Sequence, residues 1–202
     1  EPVQRRPPLA VGERHALELA SEMALGLTEI AIEAEAVEHV LHAGLGAVRP
    51  VAVLDEHPHE GDGDGDALFR LDQHAEVARA SLARAGLSDR VEIRVGAALD
   101  ALPKIAAAKE GPFDLVFIDA AKANNPNYFT WALQLTKPGS LIIIDNVVRE
   151  GSILDAASAD TSVQGTRRAL EMMAAEPRVV ATAIQTTGLK GHDGFAIALV
   201  TR

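Results

Sequence analysis

The stretch FDLVFIDAAKANNPNYFTWALQLTKPGSLIIIDNVVREGSILD, residues 113–155, decides how this chain is read. It contains two short apolar runs, FDLVFI and SLIII, and each ends abruptly on polar side chains: Asp119 after the first, Asp145 and Asn146 after the second. Apolar runs without alternation are the mark of strands buried on both faces of a parallel sheet. The segment between them, which carries Trp131, is long enough for the helical crossover that adjacent parallel strands require. Trp131 itself reads as core.

Moving outward, VAVLD (51–55) and VEIRV (91–95) repeat the strand pattern, and HAEVARASLARAG (74–86) is an amphipathic helix stopped by Gly86. Strands alternating with helices predict βαβ units and a doubly wound, mainly parallel α/β sheet. After a helix near 162–176, RVVATAIQTT and GFAIALV are separated only by GLKGHDG. That is a hairpin length, so the last strand is expected to be antiparallel. Towards the start, residues 11–24 and 33–46 space their apolar positions as helices that each cover a sheet. EPVQRRPP, with three of the ten prolines, reads as an irregular arm. The expectation is one domain over 1–202, with the arm at 1–10, N-terminal helices at 11–47 and the sheet-bearing core at 50–202.

Composition narrows the function. The formal net charge of −10 repels phosphate backbones, and Arg5-Arg6 and Arg167-Arg168 are too few to make a basic face, so nucleic acid is not an expected partner. No run approaches the roughly 20 apolar residues of a membrane span. With no cysteine, disulfides, thiolate metal sites and cysteine nucleophiles are excluded, which fits a reducing, cytoplasmic setting. Any metal must take oxygen or imidazole ligands.

In open α/β sheets ligands bind beyond the carboxyl ends of the strands, so Asp119, Asp145 and Asn146 are placed at a site by topology. Two carboxylates and an amide oxygen are hard ligands suited to Mg²⁺ or another divalent cation. The same residues would serve equally as caps of loops or helix starts. Lys122, three residues past Asp119, can reach the same crevice as a general base, or be a solvated surface lysine. Asn124, Asn125, Asn127 and Tyr128 either line a pocket or shape the turn into the next helix.

The 113–155 stretch, with VQGTRRALEMMAAEPRVVATAIQTTGLKGHDGFAIALV after it, resembles the bacterial O-methyltransferases that are similar to the catechol and caffeoyl-CoA O-methyltransferases. IDAAK and IIIDNV carry the resemblance, which spans about 67–202 well and the first 55 residues loosely. It implies a class I methyltransferase fold, a Rossmann-like seven-stranded sheet with an antiparallel last strand. It further implies a divalent metal, usually Mg²⁺, on Asp119, Asp145 and Asn146, with Lys122 accepting the substrate hydroxyl proton. The methyl donor would be S-adenosylmethionine and the acceptor one oxygen of a catechol-like phenolic diol. The family binds adenine near the loop after VEIRV, here Gly96, Ala97 and Ala98, although packing at a helix start explains these small residues as well. Asp72 is the nearest candidate to hold the ribose, and Asp119 would border the cofactor too. A homodimer is expected by the same analogy.

One segment departs from the family pattern. The family's first strand enters a glycine-rich turn of the form E-[IV]-G-T-x-x-G-Y-S, where this chain has VAVLDEHPHEGDGDG. Only ten residues separate Asp55 from Asp66, too few for a helical crossover, so the first cofactor-side helix is expected to be absent or replaced by a loop. That motivates an alternative, a methyltransferase scaffold with lost or altered cofactor binding that serves as a binding or assembly protein. DGDGD is not a calcium loop, because Ala67 stands at the turn-glycine position and Gln73 at the bidentate-Glu position. His57 and His59 with Glu56 and Glu60 would suit a transition metal, but a polar loop explains them more simply. A nicotinamide dehydrogenase would need G-x-G-x-x-G after the first strand, and the chain has none there.

Overall fold

The computed structural model describes the backbone of 51–54 and residues 75–84, 86, 88–89, 91–188 and 191–202. The expected arm, the helices at 11–24 and 33–46, the acidic patch at 56–66 and Asp72 lie outside the described residues. The chain groups into two compact units, one of Glu1–Ala52 with Asp72–Ile93 and one of Val53–Leu71 with Arg94–Arg202. In the first, residues 75–84 form helix α1, in which Ala75 is fully buried. Gly86 follows at φ +70, its N–H donating to Ala83 O at 3.1 Å, so the predicted left-handed stop is present. Strands β1 (Val51–Leu54) and β2 (Glu92–Val95) pair as a two-stranded sheet.

The second unit contains α2 (Ala98–Ala107), β3 (Phe113–Ile118), α3 (Asn125–Leu135), β4 (Thr136–Asp145), α4 (Thr161–Ala175), β5 (Val179–Gly188) and β6 (Gly191–Val200). Its sheet has the order β3-β4-β6-β5. β3 runs parallel to β4, in the βαβ unit that 113–155 predicted, and β6 is antiparallel to both β4 and β5. The last strand is thus antiparallel as expected, and it is inserted between β4 and β5. Among the described residues there are six strands in two sheets, and in the four-stranded sheet one pair is parallel and two are antiparallel.

The hairpin is tighter than its sequence suggested. Gly188 pairs with Gly191, so most of GLKGHDG belongs to the ladder and not to a loop. Likewise β4 begins at Thr136, which pairs with Phe113 before an irregularity in register brings Leu115 opposite Leu141. Backbone pairing extends a strand past the point where its apolar pattern begins.

The core lies on one face of this sheet. Ile142 pairs with Ala198 and Ile144 with Ala196, and all four are fully buried. Phe129 and Ala132 of α3 and Ala169 and Met173 of α4 complete the same cluster. Large and small residues thus alternate across the ladder, and each isoleucine buried in this way contributes roughly 1.5–3 kcal/mol. The other face, with Leu141 and Ile143, is only half-buried, so burial on both faces holds for β4 in part. Trp131 of α3 is half-buried and not among the fully enclosed core residues.

α4 starts on Asp160, whose extended backbone and carboxylate, accepting from Ser162 N at 2.7 Å, make an N-cap. α3 has proline in its first turn, where no N–H is missed. No helix among the described residues is long and apolar enough to cross a membrane.

Candidate active site

β3 ends at Ile118, and Asp119 is the next residue. The chain then makes one 3-10 turn, Lys122–Asn124, closed by Asn124 N donating to Ala121 O at 2.8 Å, and passes directly into α3. The turn brings Lys122 back over the strand end. Its Nζ lies 2.5 Å from Asp119 Oδ1, with the two side chains only 11% and 7% exposed. A pair this enclosed is not the solvated surface lysine of the simpler reading: little water screens the charges, and removing either partner would strand the other.

The backbone of this turn rests on α4. A Cβ added at Gly165 would collide with Lys122 O and sit 2.6 Å from Ala123 Cα. Glycine inside a helix costs about 1 kcal/mol relative to alanine, and here it allows the helix to approach the lysine-bearing turn. Asn125 and Tyr128 are buried beneath the turn, and neither polar side-chain atom of Asn125 has a hydrogen-bond partner. Asn127 is exposed. Asn125 and Tyr128 are thus enclosed at the start of α3.

β4 delivers the second polar group. Asp145 is the last residue of the strand, opposite Phe195, and Asn146 follows in the left-handed region at φ 55, a conformation that asparagine tolerates. The pKa of Asp145 is raised. Burial is the main cause; the negative charges of Asp119 and, more weakly, Asp193 push the same way, against the Asn146 N–H and the Lys122 ammonium. Asp119, Lys122 and Asp145 therefore share one electrostatic neighbourhood, in which negative charge is under-compensated. A divalent cation would relieve that imbalance, so the donor set of two carboxylates and an amide fits one. Among the described residues, no group of three or more His, Cys, Asp or Glu side chains could hold a metal, so the amide oxygen would have to contribute.

Gly96 follows β2 at φ +134, a value open to glycine and strained for other residues. Ala97 is the N-cap of α2, and its carbonyl accepts from Asp100 N and Ala101 N. Ala98 is buried in the core cluster, so its small size is explained by packing at the helix start. Asp72, His57 and His59 lie outside the described residues.

The family model for O-methyltransferases matches residues 61–199. The chain belongs to the O-methyltransferase family. Its relatives include a catechol O-methyltransferase of Mycobacterium tuberculosis, 57% identical over 128 residues that make up 63% of this chain and 56% of that protein. The chain thus spans a little over half the length of that curated relative. Among solved structures, an O-methyltransferase from Bacillus cereus in complex with SAH superposes with a TM-score of 0.73 at 39% identity, covering 96% of this chain and 92% of that one. The O-methyltransferase TomG from Streptomyces achromogenes, in complex with SAM, does so with a TM-score of 0.66 at 40% identity, covering 80% and 77%.

Two features of this site carry little signal in the sequence. Gly165 had a weak signal, a glycine inside a helical pattern. Asp193 had a misleading one: Asp-Gly in a short connection reads as a turn, whereas Asp193 stands in β6 and its carboxylate receives backbone N–H groups from the segment after β4.

Proposed function

We propose that the protein transfers a methyl group from S-adenosylmethionine to one hydroxyl of a catechol-like small molecule, with a divalent cation, Mg²⁺ or a similar ion, bound by Asp119, Asp145 and Asn146. The observation that carries this reading is the enclosed Lys122–Asp119 pair beside Asp145, whose carboxyl resists ionisation where it stands. Support comes from the SAH and SAM complexes of the structural relatives and from the catechol O-methyltransferase relative. In the same reading the sheet is completed to seven strands, Gly96, Ala97, Ala98 and Asp72 border the cofactor with Asp119, and the protein works in the cytoplasm as a homodimer. A monomer in sedimentation at micromolar concentration removes the dimer.

Held by Asp119, Asp145 and Asn146, the cation would supply the Lewis acidity that makes a coordinated substrate hydroxyl more acidic. Lys122 Nζ would accept that hydroxyl proton, and the resulting oxyanion would attack the sulfonium methyl. The O–CH₃ bond forms as the S–CH₃ bond breaks, leaving the neutral thioether. Asp119 orients Lys122 Nζ through their 2.5 Å hydrogen bond, so the reaction depends on positioning and needs no covalent enzyme intermediate.

Calorimetric titration with S-adenosylmethionine, with and without Mg²⁺, tests the reading before any substrate is sought. Saturable micromolar binding, followed by methylation of a catechol panel that Lys122→Ala lowers by about 10²–10⁴-fold, is expected. A folded protein that binds no S-adenosylmethionine in either condition overturns the enzyme reading and leaves a scaffold turned to binding or assembly.

A further inference from the structure

We propose that Asp193 is the positioning residue that aims Asp145 and Asn146, a role that rests on the metal reading above. The β4–β6 ladder ends at Asp145 opposite Phe195. Past that point Val147 N donates to Gly194 O at 2.9 Å, and Asp193 Oδ1 then accepts from Val148 N at 3.0 Å, Arg149 N at 2.9 Å and Gly194 N at 2.9 Å. One carboxylate oxygen thus receives three backbone N–H groups.

Asn146 lies between these attachments, with the ladder on one side and the Gly194–Asp193 anchor on the other. It is left-handed, as are Arg149 and Glu150, so the segment is not helical enough to satisfy its own amides. Val147, 2% exposed, is pinned in the core. The direction in which Asn146 leaves the sheet is therefore decided by β6, through one backbone carbonyl and one carboxylate oxygen that accept from the segment. Groups of this kind, which touch no ligand but orient those that do, commonly change metal affinity by 10–100-fold.

The test measures Mn²⁺ affinity by electron paramagnetic resonance in the full chain and in Asp193→Ala, Asp193→Asn and Asp193→Glu, with S-adenosylmethionine affinity and circular dichroism alongside. Asparagine keeps an acceptor oxygen at the same distance from the backbone and loses the charge; glutamate keeps the charge and moves the acceptor. Asp193→Asn is expected to bind Mn²⁺ within about twofold of the parent, and Asp193→Glu and Asp193→Ala about tenfold or more weakly, with S-adenosylmethionine affinity unchanged. If Asp193→Ala does not fold, the Asn and Glu variants decide. Glutamate binding like the parent while asparagine fails would show that charge, not position, matters and overturn the proposal; so would equal affinity in all the variants, or parallel loss of Mn²⁺ and S-adenosylmethionine. A parent protein that binds no Mn²⁺ overturns the metal reading itself, and the proposal falls with it.

Discussion

The turn after β3 and the turn after β4 carry related chemistry and are held in different ways. The first is compact and local: one 3-10 turn connects Asp119 to α3, the Lys122–Asp119 pair closes over three residues, and α4 presses on its backbone through Gly165. The second is irregular, with three left-handed residues among Asn146, Arg149 and Glu150, and it is held from a strand more than forty residues away in the chain. The first turn keeps its closing pair within three residues, whereas the second depends on β6 and fails when that strand shifts. The contrast predicts that loss of Lys122 from the first turn costs proton transfer, whereas a shift of the second turn costs metal binding.

The largest expected effect is at Lys122. Lys122→Ala should lower turnover by about 10²–10⁴-fold while S-adenosylmethionine still binds; a loss of less than tenfold in steady-state assays would remove the general-base role. Next is the support beneath that turn. Gly165→Val places carbon atoms where Lys122 O and Ala123 now lie, and should destabilise by about 1–3 kcal/mol in urea unfolding. Turnover should fall with it, and unchanged stability would mean that the turn moves freely away from α4.

Asp145→Asn probes the electrostatics between the turns. Burial and Asp119 raise the Asp145 pKa in the folded protein, so the native state binds this proton more tightly than the unfolded chain. Its favourable contribution is complete below the unfolded carboxylate range and is lost as pH rises through the raised value. The variant should therefore melt higher at pH 7, by about 1–2 °C after allowing for solvent screening. The gain should vanish in acid, where Asp145 is itself protonated, and methyl transfer should be lost. A gain independent of pH would point to packing instead. Smallest of all is the surface control: Asp114→Ala breaks the exposed 2.7 Å pair with Lys137. It should change stability by no more than about 0.5 kcal/mol and leave both turns as they were.

Much of the first turn was legible in the residues. A lysine three positions past a strand-ending aspartate has few places to go when the strand is buried, and IDAAK encodes both the strand end and the return of the chain. Asp145 and Asn146 were legible as residues and not as geometry. Their dependence on Asp193 crosses the β4–β6 pairing, and no local pattern announces which antiparallel strand will lie beside β4. The hairpin shows the same limit, because GLKGHDG has turn composition but pairs almost to its tip once β6 is sandwiched between β4 and β5.

The chain by itself determined the strand–helix alternation, the βαβ unit over 113–155, the antiparallel close of the sheet and the polar residues at the strand ends, because these follow from periodicity and from the chemistry of adjacent residues. Only the tertiary structure decided that β6 enters between β4 and β5, that α4 reaches the Lys122 turn through Gly165, and that Asp193 faces the backbone after Asp145. Each of these is a contact between segments far apart in the chain, set by which apolar faces bury each other and which backbone groups are left to be paired, and that information is not carried in any one window of the sequence.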